Sequence, residues 1–131
     1  MRVLRELGLV LVGCSAMTAL AIPPAYADSG FAGSWTATDV IDGSSITLSI
    51  HGAGPRYSAR EVDAAASVCD GAPASLSGGG KAEGDVLEIR MTLQCLPGGN
   101  IFRGQFPFVF FYDAGTDTLT DGDGVLYSRA D

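Results

Sequence analysis

Turn-forming residues break this chain at intervals too short for helices. Asp42-Gly43, residues 52–55, Asp70-Gly71, Gly78-Gly79-Gly80, Gly84-Asp85, Pro97-Gly98-Gly99-Asn100, Asp113-Ala114-Gly115 and residues 122–124 follow one another at strand-like spacing. The runs between them are short and rich in Val, Ile, Thr, Phe and Tyr, the pattern of an antiparallel meander. The clearest run is 86–95, where Leu87, Ile89, Met91, Leu93 and Cys95 share one parity and Glu88, Arg90, Thr92 and Gln94 the other. Of the regular structures, only a strand with one buried and one wet face repeats every two residues. Ile46, Leu48 and Ile50 alternate with Thr47, Ser49 and His51 in the same way, so His51 is expected to face solvent.

Further strands are expected at 34–41, 56–62, around 67–69, around 75–82, at 106–112 and at 125–129. Gly78-Gly79-Gly80 reads as a loop or a glycine bulge. In 106–112, Phe106, Phe108, Phe110 and Tyr112 line one face while Val109 and Phe111 make the other apolar too, which predicts a strand covered on both sides or crossing the sheet centre. Pro107 lacks an N–H and predicts a bulge or strand start. Seven or eight strands of this length leave exposed edges unless the sheet closes on itself. The expected fold is therefore all-β, an antiparallel up-and-down barrel. Its core would join Trp35, Ile46, Leu48, Leu87, Ile89, Met91, Leu93, Phe108 and Phe110.

Residues 1–27 read as a signal peptide. Arg2 and Arg5 precede an apolar run over 7–22, and Ala25-Tyr26-Ala27 is a small-x-small cleavage pattern. Cleavage there leaves residues 28–131, 104 of the 131, enough for one domain. This part keeps six of the eight basic and 14 of the 15 acidic residues, a net charge near −8. Such a balance argues against nucleic acid and anionic lipid as partners, and a monomer is expected. Leu11-Val12-Gly13-Cys14 also matches the box before a lipidated cysteine, so membrane attachment is expected only if Cys14 carries lipid. The apolar stretch before it is short for a signal core. Export leaves Cys69 and Cys95 as a pair expected to oxidise to a disulfide on the core side of the sheet.

The residue patterns of catalysis are missing. His51 has no cysteine nucleophile to work with, no serine sits in a nucleophile elbow, and Gly80-Lys81 lacks the rest of a phosphate-binding loop. No catalytic residue, metal ligand or cofactor is expected. Asp117, Asp121 and Asp123 are not spaced as a calcium loop, and turn formation explains them. Glu61 shares parity with Tyr57. The simpler reading is that this parity slips at a bulge, or that Arg56, Ser58 and Arg60 form the inner face. Otherwise Tyr57 and Glu61 point into the barrel and mark either a polar ligand pocket or an ion pair buried with an arginine.

Gly33-Ser34-Trp35 opens the first strand, and this Gly-x-Trp resembles the N-terminal signature of lipocalin-like (calycin) barrels. The resemblance implies a Trp that closes the barrel floor against a basic residue of the last strand, here Arg129. An ordinary core Trp at a strand start is the alternative. The stretch 36–50, Cys69-Asp70-Gly71 and Asp117-Thr118-Leu119-Thr120-Asp121 are similar to small exported bacterial β domains without an assigned role. The expected function is a non-catalytic exported module binding an unknown small ligand. The alternatives are a secreted protein-binding module or a structural envelope protein. For the former, exported bacterial metalloprotease inhibitors are similar in size, Gly-x-Trp and single disulfide, and the resemblance implies an N-terminal arm that enters the protease.

Overall fold

The computed structural model describes residues 30–130; the expected signal peptide and Cys14 lie outside them. Eight strands follow in order: β1 (Gly33–Thr38), β2 (Ser45–His51), β3 (Arg56–Asp63), β4 (Ala74–Glu83), β5 (Val86–Cys95), β6 (Arg103–Asp113), β7 (Thr118–Asp121) and β8 (Leu126–Arg129). Each pairs antiparallel with the next, and β8 returns to β1, so the sheet closes into a barrel. Closure satisfies the backbone of β1 and β8, which an open sheet would expose.

The alternation in β2 and β5 sets the inner face. Ile46, Leu48, Ile50, Leu87, Ile89 and Met91 are buried, and Glu88, Arg90, Gln94 and His51 are exposed. Trp35, Phe110, Leu119 and Tyr127 complete the interior. Leu93 and Phe108, expected in the core, are half-buried because they border a gap described below.

Four expectations are corrected. Residues 67–69 form a 3₁₀ turn, ended by Asp70 in the left-handed region, and an unexpected strand, β7, forms at Thr118–Asp121 instead. That strand carries a single buried side chain, Leu119, too little for a periodic signal. Gly78, Gly79 and Gly80 lie inside β4, in unbroken register with Met91, Arg90 and Ile89. β4 and β5 approach so closely there that a Cβ on Gly78 or Gly80 would collide with the carbonyl oxygens of Arg90 and Glu88. Pro107 sits within β6 opposite Arg90 without a bulge; it falls where β6 has no partner on its β7 side, a place that tolerates a missing N–H. Finally, β6 is covered on one face only: Phe111 is 47 % exposed, because no layer of the described residues lies outside the barrel.

Cys69 and Cys95 are disulfide-bonded, with Cα atoms 5.4 Å apart. The bond ties the excursion between β3 and β4 to the end of β5, and closing a loop of this length contributes about 3 to 4 kcal/mol. It points to an oxidising environment outside the cytosol.

Candidate functional site

One end of the barrel is sealed. Trp35 and Arg129 are register partners on β1 and β8, and the guanidinium lies 4.2 Å from the centre of the indole. Arg129 donates to both carboxylate oxygens of Asp117 at 2.8 and 2.9 Å, and to the carbonyls of Ala32 at 2.8 Å and Gly30 at 2.7 Å. A side chain on Gly33, at φ +138°, would strike that guanidinium. The Trp35 indole N–H donates to the Phe31 carbonyl at 2.9 Å, and Phe31 plugs the end against Tyr57 and Tyr112. Tyr112 donates to Asp117 at 2.9 Å. Arg129 first and Tyr112 second hold the Asp117 carboxyl below the usual carboxylate range. Gly33, Trp35 and Arg129 thus meet as a closure.

Tyr57 and Glu61 both point inward, since the alternation of β3 neither slips nor inverts: Tyr57, Ala59 and Glu61 are buried, and Arg56, Ser58 and Arg60 exposed. They do not share a pocket. Tyr57 packs on Phe31 at the sealed end, and Glu61 lies four residues along β3, roughly 13 Å away at strand rise. No arginine pairs with Glu61 either; among the described residues the one ion pair is Arg129–Asp117.

Glu61 is 5 % exposed and accepts a hydrogen bond from the Tyr127 hydroxyl at 3.3 Å. Burial pushes its carboxyl up to about 7, and the charges acting on it, Asp121, Asp63 and Asp39, are all negative and push the same way. Burial also raises Asp121, and Tyr127 is held far above its ordinary value, first by burial and then by Glu61. The group is an acid–phenol–acid cluster with no cation. Asp121 additionally takes the N–H groups of Asp123 and Val125 at 2.9 Å each, the turn role expected of it.

A cleft opens beside Asp121 because β7 has only four residues. It pairs with Phe110–Asp113, so the first seven residues of the eleven-residue β6 face no strand on that side. The resulting cleft, about 500 Å³, is walled by Val68, Leu93, Phe106 and Phe108, with Asp121 on the opposite lip. Leu93 stands in the same inward register row as Glu61, two strands away.

The outer face of β3–β6 holds a larger groove of about 840 Å³, lined by Arg56, Lys81, Arg90 and Glu88 together with glycines of β4 and with Tyr57, Pro107, Phe108 and Val109. Tyr127, Asp121 and this groove were not foreseen. The shared parity of Arg56 and Arg60 was a partial signal of a basic face, but turning that face outward and adding Lys81 and Arg90 requires the register. No family model, curated protein or solved structure matches this chain.

Proposed function

We propose that this protein is an exported, non-catalytic binding module whose site is the cleft between β6 and β7, with Asp121 and Glu61 receiving the polar end of a small ligand. The observation that carries this reading is Glu61. A carboxyl group buried without a cation costs several kcal/mol, and a core selected for stability alone would hold an apolar side chain there. A ligand donor reaching it recovers about 1.5 to 3 kcal/mol. The apolar wall of Leu93, Phe106 and Phe108 suits a hydrocarbon or aromatic body, and the carboxylates suit an ammonium head.

The test is displacement of the neutral dye Nile red at pH 8 by octylamine and by octanoate. The amine is expected to displace at a concentration at least about tenfold lower, and Glu61→Gln or Asp121→Asn to shrink that preference. Equal displacement by the two amphiphiles, or a preference untouched by both substitutions, refutes the reading.

The inhibitor alternative meets an obstacle. Phe31 is fully buried, and Arg129 binds the carbonyls on either side of it, so the described part of the N-terminal arm is built into the barrel rather than free to enter another protein.

A further inference from the structure

The net charge of −7 conceals a segregation. Residues 30–130 contain six basic side chains, and five of them, Arg56, Arg60, Lys81, Arg90 and Arg103, are exposed on the outer face of β3–β6. Of their twelve carboxylates, Glu88 alone shares those paired rows; Glu83 stands one row beyond, at the β4–β5 tip. The others occupy the interior, the loops at the two ends and the β7 side. Arg56 and Lys81 are direct cross-strand partners, an arrangement that works against stability. None of the five cations makes an ion pair among the described residues, although Glu88 is the register partner of Lys81. Three of them rim the 840 Å³ groove.

We infer that this face binds an anionic polysaccharide, a strand bearing carboxylate or sulfate groups, along the groove from Arg56 toward Arg103. Charge complementarity identifies the anion: guanidinium groups grip carboxylate and sulfate oxygens with paired N–H donors, and strands about 4.8 Å apart repeat the cations across the face. The neutral residues interleaved with them identify the sugar. Ser58, Ser77, Thr92 and Gln105 offer hydroxyl and amide groups that match sugar hydroxyls, with Gly79 leaving room for the chain. The outward positions of these rows hold no aromatic ring: Tyr57 and Phe108, which also line the groove, belong to the inward parity and are buried and half-buried, and the exposed Phe111 stands alone one row beyond, which disfavours a single-stranded nucleic acid that needs successive stacking rings. A peptide extending the sheet is disfavoured as well, since β3, β4 and β5 are each bonded on both sides along the groove and leave no strand edge among the cations.

The experiment measures binding of the oxidised protein to oligogalacturonate and to dextran sulfate, with neutral dextran and oligo-dT as comparators, at 50 and 200 mM salt. One or both anionic polysaccharides are expected to bind, with affinity falling as salt rises, and their ranking tells carboxylate from sulfate. The Arg56→Ala/Lys81→Ala variant should bind at least about tenfold more weakly with a shallower salt dependence. Glu88→Gln should bind a few-fold more tightly by losing a repulsive charge. All three residues are exposed, and cooperative thermal unfolding at or above the parent's temperature shows that the variants fold. Equal binding of neutral dextran, tighter binding of oligo-dT, or no loss in the double variant overturns the inference. So does salt-sensitive self-association that the double variant abolishes without any polysaccharide binding, which would assign the face to a second copy of the chain.

Discussion

Replacing Glu61 by Gln should remove a pH dependence of stability that the wild-type protein carries between pH 5 and 8. Glu61 titrates near 7 in the fold and at its ordinary 4.5 when unfolded. The folded state therefore holds the proton more tightly, so the stabilisation is fully present below about pH 4.5 and is lost as pH rises through 7. A displacement from 4.5 to about 7 corresponds to roughly 3 kcal/mol, most of which disappears between pH 5 and pH 8. The physical source is first the burial of the carboxyl group, which strips water from its ionised form, and then repulsion by Asp121, Asp63 and Asp39; the hydrogen bond from Tyr127 offsets part of that cost. The substituted amide cannot ionise, so its advantage over the wild type should be small at pH 5 and grow to about 2 to 3 kcal/mol at pH 8. Urea unfolding followed by the fluorescence of Trp35, the chain's one tryptophan and buried, reads this directly. Parallel pH profiles for the two proteins would show that Glu61 does not ionise against its surroundings, and would remove the observation on which the cleft proposal stands.

Other consequences follow from the same packing. Leu87→Ala should cost about 3 to 5 kcal/mol in urea unfolding, against under about 0.5 for Gln94→Ala on the exposed face of the same strand; comparable costs would mean the faces are misassigned. Arg129→Ala should lower stability by roughly 2 to 4 kcal/mol and shift the emission of Trp35, since the stacked guanidinium and its four hydrogen bonds vanish together; Arg129→Lys should recover little, because a point charge cannot hold the fork. Replacing Cys69 and Cys95 together by Ala should cost about 3 to 4 kcal/mol by chemical denaturation, with no free thiol detected in the unreduced parent.

Period-two alternation determines which residues a strand buries, because successive side chains of extended chain point to opposite faces whatever the strand pairs with. That is why β2 and β5, the inward set from Trp35 to Phe110, the exposed His51 and the all-β class were legible in the residues, and why two cysteines in a chain expected to be exported implied their bond. Pairing is a different kind of information. Whether Gly78-Gly79-Gly80 is a loop or a strand depends on how closely β5 approaches it, and the parity of β3 could not be oriented until β2 and β4 gave it an inside. Register also decides what lies beside what: it brings Arg129 over Trp35, sets Tyr127 and Asp121 near Glu61, and gathers five cations from four strands onto one face of an acidic protein. Local sequence constrains each strand on its own, whereas closure of the barrel chooses among pairings by burying all eight at once, and only that collective choice places the cleft and the groove.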